Sequence, residues 1–266
     1  MKTYKAPAKV NIFLKITGKR GGYHEIFSRF MLVDDLFDTM SFFPKDENGF
    51  VIKGDFDCKT EQNTIYKAYM ALLDTIKNPD DLRSLMNSHG IAVEKNIPSF
   101  AGLGGGSSDA ATYLKMCNEV LHLGLTPDEL CFIGSKVGAD VAFFVHGYHS
   151  ANVSGIGETV EPFDEKPLPL EIKTPKIKIS TPEVYRRFRK DFYTELGTEE
   201  LIRLGNMDSK TILQNYGISE ANDLFKPAIS LYPELKSAYK PDWFFSGSGS
   251  SFFKIKDKEE TDESSA

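Results

Sequence analysis

Residues 101–109 read AGLGGGSSD, and this stretch decides the fold class and the chemistry of the chain. Four glycines and two serines fall within eight positions, after a strand predicted at 91–95 and before a helical pattern at 110–121. Glycine permits positive φ and lets an anion approach the main chain closely. A helix N-terminus adds roughly half a positive charge. The stretch therefore predicts a turn that binds phosphate groups through backbone N–H donors and serine hydroxyls.

Two familiar phosphate-binding signatures do not account for this turn. The Walker A pattern GxxxxGK[ST] occurs nowhere in the chain, and the dinucleotide fingerprint fails because Ser107 stands where its third glycine should fall. A flexible loop capped by serine is the alternative interpretation. The position between a strand and a helix, together with the Ser107–Ser108 pair, favours phosphate binding.

Strand and helix patterns occur on both sides of the turn. Thr126, followed by Pro127 and Glu129, is typical of a capped helix start. Elsewhere the pattern predicts strands at 10–16, 26–37 and within 168–180, a turn at 18–22, helices at 63–76, 181 onward, 199–204, 210–216 and 220–239, and a hairpin around 246–250. Because regular βαβ alternation is missing, the order indicates an α+β fold with two lobes.

Length, charge and hydropathy exclude several classes of protein. The 266 residues correspond to one large domain or two packed lobes. Thirty-two Lys and Arg against 38 Asp and Glu give a net charge of −6, which argues against a broadly basic nucleic-acid binder. We find no apolar run of membrane-spanning length and no signal-peptide pattern, so we expect no membrane association and a cytoplasmic location.

The cysteines and histidines predict no metal centre. Cys58, Cys117 and Cys131 form no CxxC pair, so we expect reduced thiols rather than a disulfide framework. His146 and His149 are three residues apart, but no Cys or carboxylate pattern completes a ligand set.

The glycine-rich stretch and three further motifs resemble those of a known family. Residues 98–108, PxxxGLGxxSS, resemble the central motif of the GHMP kinase superfamily, named for galactose, homoserine, mevalonate and phosphomevalonate kinases. Residues 101–111 resemble more narrowly one branch, which phosphorylates the 2-hydroxyl of a cytidine-diphosphate alcohol in non-mevalonate isoprenoid biosynthesis. The same branch is matched by APAKVNIFL at 6–14 with GYHE at 22–25, by GADV at 138–141 and by SGSGSSF at 246–252.

The resemblance implies a two-lobed GHMP-kinase-like fold with the active site in the cleft between the lobes. It places an N-terminal ATP-binding lobe at 1–150 and a C-terminal lobe at 151–256. The almost entirely polar residues 257–266 predict a flexible tail. ATP is the implied co-substrate, Mg²⁺ is expected to accompany it, and the implied partner is a small molecule. The metal ligands and the oligomeric state are not predicted.

Lys9 and Asp140 are the implied catalytic residues. Asp140 follows small residues and precedes an apolar run at 141–145, where a carboxylate would be partly desolvated. Taken alone, such an Asp is usually a turn or cap residue, and a lysine in a strand usually faces solvent. The resemblance instead makes Asp140 the general base and pairs it with the Lys9 ammonium.

The resemblance also implies two sets of binding residues. The ATP-binding set is Asn63, Lys95, Pro98, Ser99, Phe100, Ala101, Gly102, Leu103, Gly104, Gly105, Gly106, Ser107, Ser108 and Asp109. The acceptor-binding set is Asn11, Tyr23, His24 and Tyr185, with the two tyrosines stacking on cytosine and ordinary packing as their alternative role.

Two departures from the family pattern and two alternative functions accompany this interpretation. The loop at 18–22 is one residue shorter than expected, and Ala142 replaces a common proline. Another kinase of the superfamily, acting on homoserine or mevalonate, is the first alternative. A catalytically silent nucleotide-binding module is the second, and the presence of both Lys9 and Asp140 argues against it.

Overall fold

The structure is a computed structural model that describes residues 2–194 and 197–256. Its strands are β1 (Tyr4–Arg20), β2 (Tyr23–Pro44), β3 (Ile52–Lys53), β4 (His89–Glu94), β5 (Ser150–Gly155), β6 (Thr159–Pro162), β7 (Leu170–Lys173), β8 (Phe244–Phe245) and β9 (Phe252–Ile255). Its α-helices are α1 (Thr64–Leu73), α2 (Pro79–Ser88), α3 (Gly105–Val120), α4 (Pro127–Ser135), α5 (Val141–His146), α6 (Thr181–Asp191), α7 (Thr198–Asn206), α8 (Ser209–Asn215), α9 (Ile218–Ala221) and α10 (Phe225–Leu231). Helices and strands in this order confirm the predicted α+β class.

A long antiparallel hairpin of β1 and β2 organises the larger sheet. Its register runs from Tyr4 opposite Met40 to Arg20 opposite Tyr23. The other edge of β2 pairs with β5 near its start and with β4 near its end, and β3 and β6 lie outside them. Helices α1, α3, α4 and α5 cover one face, where Phe30, Tyr113 and Phe143 are among the fully buried side chains. Burial of this apolar face holds the helices in place.

The smaller sheet, with strand order β7-β9-β8, carries helices from the C-terminal part of the chain. Val184 and Phe188 of α6 pack with Leu224 and Phe252 in a separate apolar cluster. That cluster also contains Leu14 of β1, so strand β1 of the larger sheet packs against the C-terminal part of the chain. Since β5 and β6 belong to the larger sheet, we propose that the first lobe ends after Pro162; the division at residue 150 stays a prediction.

The pattern at 220–239 is wrongly predicted as one helix. The segment contains α9, α10 and a 3₁₀ helix at Pro233–Ser237. Asn222 interrupts it in an extended conformation, with its side chain accepting a hydrogen bond from Leu224 N and donating to Phe245 O. Pro233, which lacks an N–H donor, starts the 3₁₀ turn. The hydrogen bonds of the Asn222 side chain to the backbone therefore replace helical hydrogen bonds at this position and interrupt the helix.

Other boundaries differ less. The helix predicted at 110–121 begins earlier, at Gly105, so Ser107 and Ser108 lie in its first turn. The strand pattern within 168–180 reduces to β7, and the apolar run after Asp140 is helix α5. Helix α2 and strands β5 and β6 were not predicted. The tail predicted at 257–266 lies outside the described residues. None of the described helices combines the length and apolar content needed to cross a bilayer.

Candidate active site

The glycine-rich stretch connects β4 to α3 and has little free space around its backbone. Gly102 and Gly104 both have φ of 74°, the left-handed region that favours glycine. A Cβ on Gly102 would lie 2.2 Å from Ser246 O, and a Cβ on Gly104 would lie 2.8 Å from the Phe144 ring. Only glycine therefore lets this segment run between the C-terminal hairpin and α5.

Helix α3 opens towards the loop without a side-chain cap. Gly104 is its N-cap, and the first intrahelical bond that it accepts comes from Ser108 N at 2.9 Å. The amides before Ser108 lie in the turn whose N–H groups have no partner within a helix. A helix of 16 residues adds a positive partial charge at the same place. The turn has the donors and the potential that suit an anion.

A cavity of about 370 Å³ lies against this turn. Thirteen of the fourteen predicted ATP-binding residues line it, namely Asn63, Lys95, Pro98, Ser99, Phe100, Ala101, Gly102, Leu103, Gly104, Gly105, Gly106, Ser107 and Asp109. Ser108 instead lines a second cavity of about 470 Å³, bordered by Lys115 and Phe144. Its Oγ is buried and has no hydrogen-bond partner.

Lys95 and Asp109 form a buried charge cluster with Asp38, which the sequence did not single out. The Lys95 ammonium contacts the Asp38 carboxylate and lies 2.6 Å from Asp109 Oδ2. Asp38 Oδ1 also accepts hydrogen bonds from the N–H groups of Asn96 and Ile97. The cluster thus fixes the start of the glycine-rich loop to β2 and to α3.

Burial controls the protonation of this cluster. It raises the pKa of Asp109 to about 7, and the nearby Lys95 charge only partly offsets that effect. Burial alone would lower the pKa of Lys95, but the Asp109 and Asp38 charges outweigh it and raise that pKa. Asp109 Oδ1 has no partner, which leaves an uncompensated buried acceptor beside the cavity.

Lys9 and Asp140 meet at the edge of the same loop. Lys9 Nζ lies 3.6 Å from Asp140 Oδ2, 2.6 Å from Asn11 Oδ1 and 3.3 Å from Gly102 O. The ammonium also lies 4.4 Å from the centre of the Phe30 ring. Asp140 is the N-cap residue of α5, and its side chain is 30% exposed. A buried cation and a partly exposed carboxylate therefore face one another where the glycine-rich loop passes.

Burial also affects the pKa of the Lys9 ammonium. Burial lowers the pKa of Lys9, and the Asp140 carboxylate opposes that effect. Asn11 holds the ammonium from the other side and donates through Nδ2 to Ser28 Oγ at 2.9 Å. Ser28 in turn donates to Phe13 O. This chain of hydrogen bonds fixes the orientation of the Asn11 amide.

The acceptor-binding predictions fall into two groups. His24 and Tyr185 are adjacent, with ring centres 5.0 Å apart, and Arg189 Nε donates to His24 Nε2 at 3.3 Å. Burial raises the pKa of Tyr185, and the Asp140 charge adds to that effect. Tyr23 is 68% exposed at the start of β2 and free to meet a ligand.

Burial lowers the pKa of His24, and the positive charges of Arg189 and Lys19 lower it further. Its imidazole is therefore neutral near pH 7 and has one N–H donor and one acceptor. An aromatic pair with one neutral polar edge suits a planar heterocycle.

Several residues of the site were missed for identifiable reasons. Asp38, Phe56, Asp57 and Cys58 come from segments with no motif. The tertiary fold brings the last three to the cavity and Asp38 to the Lys95 charge cluster beside it. Ser246, whose Oγ donates to Gly102 O at 2.9 Å, lies in a motif that the sequence did mark, but without an assigned role. Within the described residues, no three His, Cys, Asp or Glu side chains are grouped to hold a metal ion.

Comparison with known proteins places the chain in a family. Residues 63–148 match the family model described as GHMP kinases N terminal domain. A protein of Sulfurimonas denitrificans named 4-diphosphocytidyl-2-C-methyl-D-erythritol kinase is 59% identical, over 97% of this chain and 98% of its own length. The chain belongs to the 4-diphosphocytidyl-2-C-methyl-D-erythritol kinase family. A member from Campylobacter jejuni is 42% identical, over 94% of this chain and 99% of its own.

Solved structures agree with this family membership. A crystal structure of 4-(cytidine 5'-diphospho)-2C-methyl-D-erythritol kinase has a TM-score of 0.71 at 32% identity, covering 96% of this chain and 90% of that one. The Methanococcus jannaschii mevalonate kinase shares the fold, with a TM-score of 0.61 at 14% identity over 97% and 91% of the two chains. As a member of the family, the chain is a phosphotransferase of the GHMP kinase type, and the predicted two-lobed α+β fold is confirmed.

Proposed function

We propose that the chain transfers the γ-phosphoryl group of ATP to the 2-hydroxyl of 4-diphosphocytidyl-2-C-methyl-D-erythritol, a step of the non-mevalonate (MEP) pathway to isoprenoids. Family membership supports this substrate pair. The observation that carries the mechanism is the 3.6 Å contact between Lys9 Nζ and Asp140 Oδ2 beside a glycine-rich loop. The cytoplasm is the proposed location, in keeping with free thiols at Cys58, Cys117 and Cys131.

The glycine-rich loop positions the phosphate groups in this proposal. Backbone N–H groups of the first turn of α3 donate to the phosphate oxygens, and Gly102 and Gly104 allow the close approach. Phosphoryl transfer depends mainly on positioning and charge neutralisation, so a rigid loop with fixed donors performs much of the catalysis. Ser246 and Lys9 hold Gly102 O from two sides and keep the loop in place.

Asp140 and Lys9 act on the attacking hydroxyl. Asp140 accepts the hydroxyl proton, since it is the partly exposed member of the pair. The Lys9 ammonium, which faces Asp140, stabilises the negative charge that develops on the attacking oxygen. Burial of Lys9 strengthens this effect, because a buried ammonium is poorly screened by water.

Mg²⁺ is proposed as the companion of ATP. Ser108 Oγ is buried and unpartnered but lines the second cavity and not the ATP cavity, so phosphate oxygens would supply most ligands of the ion. The ion would supply neutralisation of phosphate charge.

Tyr23, His24 and Tyr185 are proposed to hold the cytidine part of the acceptor. The His24–Tyr185 ring pair offers an aromatic face and a neutral imidazole edge. Asn11 is proposed to contact the acceptor hydroxyls beside Lys9.

Coupled measurement of ADP release from the purified chain with ATP, Mg²⁺ and the cytidine-diphosphate alcohol tests the proposal. We expect turnover with this acceptor, a product phosphorylated at the 2-hydroxyl, and no turnover with mevalonate or homoserine. Asp140→Asn is the matched control, with an expected loss in kcat of roughly 10²- to 10⁴-fold. Turnover with mevalonate or homoserine alone would refute the proposed acceptor.

The position of the nucleotide can be tested without turnover. Cys58 is exposed and lines the cavity, whereas burial raises the pKa of Cys117 to about 12 and that of Cys131 to about 11. A thiol reagent at pH 7.5 should therefore label Cys58 first. We expect ATP to slow this labelling and mevalonate to leave it unchanged. Labelling at one rate with and without saturating ATP would place the nucleotide elsewhere.

A further inference from the structure

Phe100 has a backbone conformation that a bulky residue rarely adopts. Its φ is 55°, and among the described residues only His122 shares a positive φ without being glycine. A side chain in this region costs free energy, so the surrounding structure must impose the conformation. The loop that imposes it is the glycine-rich loop of the candidate active site.

The same side chain is unusually exposed. The Phe100 side chain has 57% of its surface accessible, whereas Ile97, Ala101 and Leu103 of the same loop are buried in the core. The fold therefore gains little from burying this ring. A strained backbone that carries an exposed aromatic ring is poorly explained by packing.

Phe100 lies at the mouth of the cavity. It lines both the 370 Å³ cavity and a groove of about 440 Å³ bounded by residues 178–182 and Tyr232. Lys178 lies 6.0 Å from the ring centre and also pairs with Asp57, a residue of the cavity wall, at 3.1 Å. The ring thus stands between the cavity and a segment from the C-terminal part of the chain.

We propose that the Phe100 ring stacks on the nucleoside part of the bound nucleotide and is a determinant of nucleotide affinity. The inference rests on the proposed function, since it assumes that ATP occupies this cavity. The backbone N–H groups at the start of α3 account for the phosphates in the proposed function, and Phe100 supplies an exposed apolar face at the same cavity. Every base has an aromatic face, so an exposed aromatic ring can stack on the base of a nucleotide.

The strained backbone gives an unusual test of this role. Phe100→Gly removes the ring and also relieves the positive φ, because glycine adopts this region without a steric penalty. We expect Phe100→Gly to weaken ADP binding by roughly ten- to a hundredfold in calorimetry. We expect its Tm to be equal to or above that of the parent protein. A packing role would instead lower Tm.

Two further ligands and variants make the test specific. Phe100→Tyr should retain ADP affinity within about threefold, since the ring face is kept. The ADP affinity of Phe100→Leu should lie between those of Phe100→Tyr and Phe100→Gly. Inorganic tripolyphosphate should bind Phe100→Gly as well as it binds the parent protein. Phe132→Leu, which changes a comparably exposed phenylalanine on α4, is the matched control and should leave ADP affinity unchanged.

The outcomes separate the two proposals. Unchanged ADP affinity in Phe100→Gly, or an equal loss for ADP and tripolyphosphate, would overturn the stacking role and leave the proposed kinase intact. No ADP binding to the parent protein at millimolar concentration would refute the proposed nucleotide site itself, and the stacking role with it. In steady-state kinetics, we expect Phe100→Gly to raise the KM for ATP by a larger factor than the KM for the acceptor alcohol.

Discussion

Lys9 carries a charge inside the protein, where Asn11, Gly102 and Asp140 surround its ammonium group. A cation in this position is costly to bury, and its pKa is lowered by that burial. Such a group adds little stability, because the pairing with Asp140 only partly repays the loss of hydration. Its value lies in the electrostatic potential at the attacking oxygen.

Lys9→Met should therefore separate activity from stability. We expect kcat to fall by at least about 10²-fold, since the charge that stabilises the developing oxyanion is lost. The free energy of unfolding should change by less than about 1 kcal/mol in urea titration, because the partner left behind, Asp140, is 30% exposed and stays hydrated. Retained activity in Lys9→Met would contradict the proposed mechanism.

Lys15→Met is the matched control from the same strand. Lys15 is also buried but pairs with Asp223 at 3.0 Å, away from the glycine-rich loop. Its removal leaves the largely buried Asp223 carboxylate without its cation, so we expect a loss of about 3 kcal/mol in stability. The kcat measured below the melting temperature should stay close to the parent value.

The glycine-rich loop is the element that joins the parts of the site. Its close approach to the C-terminal hairpin makes Gly102→Ala a test of the fit between them. The new Cβ would meet Ser246 O, and the φ of 74° would add strain, so we expect a loss of at least about 3 kcal/mol in stability together with weaker ATP binding.

Gly124→Ala isolates the backbone contribution to that loss. Gly124 has φ of 68°, and a Cβ added there would have no described heavy atom within 4 Å, apart from those of its chain neighbours. Its substitution should cost only the conformational strain, about 1–2 kcal/mol, with no effect on ATP binding. Equal losses in the two variants would show that the contact with Ser246 is unimportant.

The charge cluster that anchors the same loop predicts a pH dependence. The pKa of Asp109 is raised from an ordinary 3.8 to about 7, so its contribution to stability is present below pH 4 and is lost as pH rises to about 7. Between pH 5 and pH 7 the parent protein should lose about 2 kcal/mol relative to Asp109→Asn. The comparison is made by urea unfolding across this range, with the exposed Asp46→Asn as control. Parallel pH profiles for parent and Asp109→Asn would refute the shifted pKa.

The sequence predicted residues that lie in motifs better than it predicted the residues that contact those motifs in the folded chain. The structure brings Lys9 and Asp140 within 4 Å of each other. The resemblance could predict this pair because each residue lies in a recognisable motif. Asp38 had no such pattern, and its role depends on a lysine 57 positions away. The helix predicted at 220–239 failed because local periodicity does not reveal the tertiary contacts of Asn222. Residue patterns report local preference, whereas caps and charge clusters depend on the folded chain.

Arg29, a fully buried arginine of β2, connects distant parts of the molecule through its guanidinium group. Its guanidinium donates to Asn152 Oδ1 at 2.7 Å and to Gly205 O at 3.0 Å, contacts Glu165 Oε1 at 3.2 Å and lies 3.3 Å from the centre of the Phe163 ring. Glu165 also accepts a hydrogen bond from Ser209 N at 2.7 Å. This network ties the larger sheet to α7 and α8.

Arg29→Met should destabilise the protein by about 3–5 kcal/mol, because it leaves the Glu165 carboxylate buried without its cation. The double variant Arg29→Met/Glu165→Gln should recover part of that loss, since the orphaned charge is then removed. Urea unfolding of the two single variants and the double variant measures the coupling energy. Strictly additive losses would contradict a direct pairing in this network.

The unequal exposure of the Lys9–Asp140 pair has a consequence for repeated turnover. Every cycle of the proposed reaction leaves the enzyme holding one extra hydrogen ion, which must escape before the next alcohol enters. The ammonium is sealed within the protein, while the carboxylate has about a third of its surface in contact with water. The outward route for that ion therefore runs through Asp140.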